Sequence, residues 1–452
     1  MTEDKNFHVN GKKFRLSKRH HMVIPWNQLS ADTNVPTREA SINKKASIVG
    51  RVGIILLSCG TGAWRVREAM NTISRSLGLT CSADIGLLSI SFTCFDQRDS
   101  YSQVLSLARS GVNTDKLDTM ERFVRQFNNN YSILTIKTIH ELLDRIERKS
   151  GNYNPFISGL AAGLACAAFI FLLGGGLVEM FCSFFGAGVG NWTRKVLAGK
   201  RITGIACIAV GVAVACVTYL ALFKVLGITM HVDPRHEVGY IGAMLFVIPG
   251  FPFITSMLDV SKQDMRSGLE RLSYAIMIII VATLVGWLVA LTVHFKPGSF
   301  LPLGFGVIPL MLLRIPASFC GVFGFSIMFN SPYKMAMVSG LIGAFANTLR
   351  LELIDLTAIP AGAAAFCGAL LAGLLASLIN RRAGYPRISL TVPSIVIMIP
   401  GLFIYRAVYY IGINSIGNGA LWMTRAILII MFLPMGLFVA RLLLDKKWRF
   451  SD

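Results

Sequence analysis

Two stretches, IPGFPFITSMLDVSKQD (248–264) and IPGLFIYRAVYY (399–410), decide how this chain is read. Ile248-Pro249-Gly250 and Ile399-Pro400-Gly401 lie inside apolar spans, 151 positions apart, and at the same offset Gly268 matches Gly419, Ser273 matches Thr424 and Ala275 matches Ala426. Proline removes a helix donor and glycine loosens the backbone, so each stretch breaks its helix. Two corresponding broken hydrophobic segments mark a transporter built from a repeated unit, with the substrate where the broken helices meet.

Composition agrees. The chain has 452 residues, 54% hydrophobic and 15% charged, the profile of a polytopic membrane protein. The net charge of +20 fits basic loops and tails on the cytoplasmic side. No basic stripe with interleaved aromatics points to nucleic acid as a partner. The nine cysteines form no CxxC pair and no Cys/His ligand spacing, and read as reduced packing residues. There is no Walker loop and no HExxH, GxSxG or zinc spacing, so neither an enzyme nor a cofactor is expected.

Residues 1–45 read as a flexible basic cytoplasmic tail without a signal-peptide core. Residues 46–150 read as a small cytoplasmic α/β domain. Val66, Met70, Ile73 and Leu77 recur at helical spacing, and Leu88, Ile90, Phe92 and Cys94 alternate as in a half-buried strand. Val104–Leu107 is a partner strand, and stripes at 117–127 and 139–146 are further helices.

From 155 onward ten segments are long and apolar enough to cross a bilayer: 155–175, 177–193, 203–223, 238–259, 270–294, 307–329, 334–352, 358–380, 392–412 and 419–442. The run 298–329 is rich in proline, so a short re-entrant or interfacial piece is expected before the sixth span. Arg194, Lys195, Lys200 and Arg201, then Lys262, Arg266 and Arg271, then Arg381, Arg382 and Arg387 mark alternate loops as cytoplasmic. Both termini then lie in the cytoplasm, and the protein is a multi-pass protein of the plasma membrane. The first repeat runs 151–296, the second 297–445, and 446–452 is a C-terminal tail. Five spans per unit is an odd number, so the second unit is inverted, an inverted repeat of five plus five.

The broken helices supply the candidate substrate-binding residues. Pro249, Gly250, Pro400 and Gly401 free backbone N–H groups that suit a carboxylate. Thr255 and Ser256 add hydroxyls, and Tyr405 and Arg406 fall where the first copy has Ile254 and Thr255. Arg406 within a span needs either a permanent acid such as Glu179 or an anionic ligand. Arg425 in the last span poses the same alternative. Glu179, in GGGLVEMFCSFFG, and Asp259 are candidate proton carriers, though Asp259 is also placed to pair with Lys262 or Arg266.

Five segments resemble the threonine/serine exporter family: SCGTGAWRVREAMNTISRSLGL (58–79), LLGGGLVE (172–179), IPGFPFITSMLD (248–259), GLERL (268–272) and VPSIVIMIPGLFIYRA (392–407). The resemblance covers about 45–445. It implies a cytoplasmic domain followed by ten spans, and export of threonine and serine driven by protons. Some members occur as two separate proteins, one per half, and one such pair is linked to succinate export. A proton-coupled amino-acid exporter is therefore expected, with a dicarboxylate exporter or a membrane sensor as alternatives. Partners are a small-molecule substrate, protons and lipid, with a homo-oligomer left open.

Overall fold

The computed structural model describes residues 6–9, 12–15, 24, 26, 36–131, 133–295 and 297–449. Strands β1 (Asn6–Val9) and β2 (Lys12–Arg15) pair antiparallel. Helix α1 (Ile42–Ser58) and α2 (Ala63–Ser76) follow, separated by Gly60-Thr61-Gly62. An antiparallel sheet of β3 (Thr80–Ile85), β4 (Ser89–Phe95) and β5 (Ser100–Ser106) comes next, then α3 (Thr114–Gln126) and α4 (Ile136–Arg148). The expected strand at 88–94 is β4, the expected partner at 104–107 is β5, and β3 is an addition. A boundary at 45 would cut into α1, whose buried run begins at Ala46.

The N-terminal sheet packs on α1. Ile90, Phe92 and Leu105 point from the sheet onto α1, where Gly50 lets the Phe92 ring approach: a Cβ there would sit 2.6 Å from the ring. The β4–β5 turn is closed by Asp96 Oδ1, which accepts from the backbone N–H groups of Arg98 (2.8 Å) and Asp99 (2.7 Å).

The apolar part begins with α5 (Pro155–Leu172), α6 (Leu177–Gly199) and α7 (Gly204–Met230). A broken helix follows: a 3-10 turn, α8 (Tyr240–Met244) and a second 3-10 turn, then α9 (Gly250–Ser261), bent by 55°. Helix α10 (Met265–Thr292) ends the first half. The second half repeats the order: α11 (Val307–Met328), α12 (Tyr333–Leu356), α13 (Ala361–Ala383), the broken pair α14 (Arg387–Val396) and α15 (Gly401–Gly412) bent by 51°, and α16 (Ile416–Leu444). A short helix, α17 (Lys446–Arg449), closes the described chain. Residues 298–306 form no helix before α11, so the expected interfacial piece is an irregular lead-in.

Among the described residues seven helices are long and apolar enough to cross a membrane, or nine if each bent pair is one span. This is a polytopic helical membrane protein. Helix α6 has 23 residues but is not one of the seven, because Glu179, Asn191, Arg194 and Lys195 dilute its apolar character.

The halves pack reciprocally. Helices α5 and α11, first in each half, lie together, α9 packs on α16, and α15 packs on α10. The N-terminal region sits on one end of this bundle. The N–H of Thr114 donates to the carbonyl of Phe329 (3.1 Å), and that of Leu87 to Glu270 Oε2 (2.6 Å).

Candidate functional site

The two breaks have the same local cause and the same geometry. Pro249 has φ −79° and ψ 57°, and Pro400 φ −82° and ψ 57°. The N–H of Gly250 donates to the carbonyl of Ile248 (2.8 Å), and that of Gly401 to the carbonyl of Ile399 (2.9 Å). Each is an inverse γ-turn centred on proline. The helix restarts at the glycine because proline has no N–H to continue the ladder.

The breaks meet. A Cβ on Gly250 would lie 2.7 Å from Ile399 Cδ1, and one on Gly401 would lie 1.9 Å from Ile248 Cδ1. Position 248 of one copy thus touches 401 of the other, and 399 touches 250. Such a self-complementary contact is the signature of a twofold relation. Gly268 and Gly419 repeat the logic: each lets its long helix lie against the backbone of the preceding half-helix, at Ser256 O and Ala407 O. A small apolar cavity lies at the crossing, lined by Met244, Pro249, Ile278, Thr283, Gly401 and Ile404. Its volume of about 20 Å³ is room for a single water.

The expected polar groups divide. Thr255 and Ser256 are buried, and their hydroxyls donate back to the carbonyls of Phe251 (2.9 Å) and Phe253 (2.8 Å) of their own helix. Tyr405 is fully buried, and its hydroxyl accepts from that of Tyr240 (2.6 Å). That bond joins the two broken helices. Arg406 is 9% exposed. It donates to the carbonyl of Gly298, and its guanidinium lies 4.7 Å from the Trp422 ring. No described carboxylate pairs with it. Arg425 is exposed, with its guanidinium 5.2 Å from the same indole. The structure therefore brings Arg406 and Arg425 together on Trp422, and joins neither to Glu179.

Glu179 is 1% exposed and pairs elsewhere. Its Oε2 accepts from the N–H of Gly176 (3.0 Å), capping α6, and its Oε1 lies 2.7 Å from His236 Nδ1. Of the two alternatives for Arg406, the pair with Glu179 is not formed, because the turn before α8 brings His236 to Glu179. Asp259 is corrected too. It pairs with neither Lys262 nor Arg266 but with Arg271 (3.3 Å), accepts from Ser267 Oγ (2.9 Å), and accepts from the N–H of Ala63 (3.0 Å). Arg271 also donates to the carbonyls of Gly60 (3.1 Å) and Thr61 (2.7 Å). The GTGAW segment is therefore one of the contacts through which the N-terminal region grips α9 and α10. Gly62 is required there, since a Cβ would fall 2.4 Å from Asp259 Oδ1.

One matched set escaped the sequence reading. Helices α6 and α12 share Ser-x7-Asn-x2-Arg: Ser183, Asn191 and Arg194, then Ser339, Asn347 and Arg350. Asn191 donates to Ser158 Oγ (3.1 Å) and Asn347 to Ser318 Oγ (2.9 Å), each tying its helix to the first helix of its half. Arg194 stacks on Phe246, 5.6 Å from the ring, and Arg350 donates to the carbonyl of Met398 (3.0 Å). Both arginines thus attend the last turn before a break, where helix carbonyls are unpaired. Arg194, expected in a cytoplasmic loop, lies within α6. The offset of 156, unlike the 151 of the breaks, hides the match from a gapless comparison.

Comparison with known proteins agrees with this architecture. A family profile described as "Putative threonine/serine exporter" matches residues 47–294, and one described as "Threonine/Serine exporter, ThrE" matches 314–443. A probable succinate transporter subunit, YjjP, of Escherichia coli is 23% identical over 252 residues, covering 53% of this chain and 91% of that protein. A probable threonine/serine exporter of Mycobacterium tuberculosis is 22% identical over 386 residues, covering 82% of this chain and 70% of that protein. No solved structure matches. With one profile spanning more than half of the chain and the other most of its second half, the chain belongs to the threonine/serine exporter family.

Proposed function

We propose that this protein is a proton-coupled secondary exporter of threonine and serine in the plasma membrane, with its substrate seated at the crossing of the two broken helices. One observation carries the reading: two γ-turn breaks pack on each other as twofold mates, beside a buried guanidinium with no described carboxylate partner. Arg406 then takes the substrate carboxylate together with the first-turn N–H groups after Pro400. Carbonyls ahead of the breaks take the ammonium. With α6 counted as a span there are ten, five per half, so the second half is inverted and both termini share one side, which the basic loops favour as the cytoplasmic one. The crossing is too tight for an amino acid as it stands, so binding requires the halves to rock apart, as alternating access demands. Glu179 with His236 is a carboxylate–imidazole pair suited to passing a proton. Asp259 is already engaged by three donors and is the weaker proton carrier.

Counterflow of labelled solutes into liposomes containing the purified protein tests the reading. Threonine and serine should accumulate saturably and compete with each other. A second reading, dicarboxylate export, has its own observation in the two arginines on Trp422, which suit two carboxylates. The relatives named as succinate transporter subunits belong to that reading. Succinate exchange without threonine exchange would replace the first reading with the second. No saturable counterflow of any solute would favour a sensor.

A further inference from the structure

The cysteines read from the sequence as packing residues, yet two of them face each other in the sheet of the N-terminal region. Cys81 of β3 is the direct partner of Cys94 of β4, in a ladder that runs unbroken from Thr80 opposite Phe95 to Ile85 opposite Ile90. The turn fixes the parity of that ladder. The N–H of Gly86 donates to the carbonyl of Ser89 (2.8 Å), so 86 and 89 form a hydrogen-bonded pair. Such pairs alternate along an antiparallel ladder, which makes 85 with 90, 83 with 92 and 81 with 94 non-hydrogen-bonded pairs. The other edge of β4 agrees. The N–H of Asp96 donates to the carbonyl of Asp99 (3.0 Å), and that of Leu107 to the carbonyl of Leu88 (2.8 Å). The even-numbered residues of β4, Cys94 among them, therefore bond towards β5 and not towards β3.

Non-hydrogen-bonded partners have Cα atoms about 4.5 Å apart and side chains closer than those of the alternate pairs. A disulfide bridges Cα separations of about 4.4–6.8 Å, so this site closes without backbone movement. By alternation Cys94 shares a sheet face with Ile90 and Phe92 and is fully buried, while Cys81 is half-buried. The two thiols are hydrogen-bonded to each other. The bond from Cys94 holds the Cys81 thiol below the usual range, and the same bond, then burial, holds Cys94 above it. Cys81 is thus the thiol that ionises first, and the thiolate is the nucleophile. Among the described residues no other two cysteines face each other across a ladder. Cys59, also in this region, is buried, and burial pushes its thiol up to about 11.

We propose that Cys81 and Cys94 are an oxidisable dithiol, closed by hydrogen peroxide to a disulfide that staples β3 to β4. The Cys81 thiolate attacks one peroxide oxygen. The O–O bond breaks, the S–O bond of a sulfenic acid forms, and the hydroxide released takes up the proton that Cys81 lost and leaves as water. The Cys94 sulfur then attacks Cys81 Sγ. The S–S bond forms, the S–O bond breaks, and the leaving hydroxide takes the Cys94 proton as a second water. The two sulfurs together give up two electrons, and these reduce the peroxide. In a reducing compartment such a pair rests as the dithiol and is oxidised transiently. The staple sits at the open end of the hairpin whose turn meets α10, where Leu87 donates to Glu270 (2.6 Å) and Asp84 pairs with Arg266. Oxidation therefore pins the hairpin by which the N-terminal region holds the start of α10. The proposal does not depend on which solute is transported.

The sequence makes the test direct. Trypsin cleaves after Arg75 and Arg98 and nowhere between them, so both thiols fall in one peptide, 76–98. The full chain, purified in its reduced form in detergent, is treated with hydrogen peroxide, denatured in iodoacetamide and digested. Peptide 76–98 should be two hydrogens lighter than its reduced form and carry no alkyl group. Dithiothreitol before alkylation should return both cysteines to labelling. Under the same treatment Cys94→Ser should stop at the sulfenic acid, which dimedone captures at Cys81. Cys94 in Cys81→Ser should react with peroxide at least roughly tenfold more slowly than Cys81 in Cys94→Ser. Alkylation of both cysteines after peroxide, or their oxidation to sulfinic acid with no bridged peptide, overturns the proposal. So does dimedone capture at Cys94 in preference to Cys81. Should either variant fail to fold, the wild-type peptide decides alone.

Discussion

Arg406 is the residue on which the transport reading turns. It is buried, stacked on Trp422, and held by one backbone carbonyl. A charge-assisted hydrogen bond to a buried carboxylate contributes about 1.5–3 kcal/mol. Arg406→Gln should therefore weaken threonine affinity about 10- to 150-fold, read as the KM of counterflow, while Arg406→Lys retains part of it. His140 is the second informative residue. Arg51, whose guanidinium has donors only, donates to its Nδ1 (3.1 Å), so Nε2 carries the hydrogen and donates to Ser47 Oγ (3.0 Å). Burial, and then the Arg51 charge, push its pKa down from 6.5 to about 4. The unfolded chain thus binds more protons than the folded one between those values, and stability falls as pH drops from 6.5 towards 4. The loss is at most about 3 kcal/mol. Urea melts of the protein followed through the N-terminal region should show this acid-side loss, and His140→Gln should flatten it.

At the scale of elements, the γ-turn breaks are packed too closely to accept a side chain. Gly401→Val places atoms where Ile248 Cδ1 already lies, and overpacking of this kind costs about 1–3 kcal/mol. The variant should melt earlier and lose transport, while Ile248→Ala in the same chain should restore part of both. The grip of the N-terminal region on α9 and α10 depends on Arg271. Arg271→Leu leaves Asp259 charged, buried and short of its cation, a loss of about 3–5 kcal/mol. It also releases the carbonyls of Gly60 and Thr61. Limited proteolysis should then cut between α1 and α2, whereas the double variant with Asp259→Leu should recover much of the stability.

At the scale of the molecule, the reciprocal contacts between halves and the position of the N-terminal region fix a testable orientation. The ends that meet this region are those of α9 and α10 and of α11 and α12. If ten spans are present, the end of α13 that bears Arg381 and Arg382 lies on that same cytoplasmic side. A cysteine placed at Arg381 should resist an impermeant external reagent in intact cells and react after permeabilisation. Labelling in intact cells would break the inverted arrangement.

The sequence by itself determined the membrane class, the two breaks and the family. These rest on local properties: apolar length, the missing N–H of proline and a gapless repeat of 151. It also located three helices of the N-terminal region, whose stripes at 66–77, 117–127 and 139–146 are core faces, but not the buried helix α1. It did not determine who pairs with whom. Helical periodicity says which face a charge occupies, not which helix comes to lie against that face. Glu179 therefore meets His236, Asp259 meets Arg271 and the backbone of Ala63, and Arg406 meets Trp422 and a carbonyl. Arg194 reads as a loop charge in the sequence because a cation near the end of an apolar run resembles a boundary. The folded chain keeps it in helix, as it keeps Arg350, since Asn191 accepts from Arg194 (2.8 Å) and the carbonyl of Met398 accepts from Arg350. The carbonyl of Met398 comes from the broken helix of the same half, so only tertiary packing within that half supplies it.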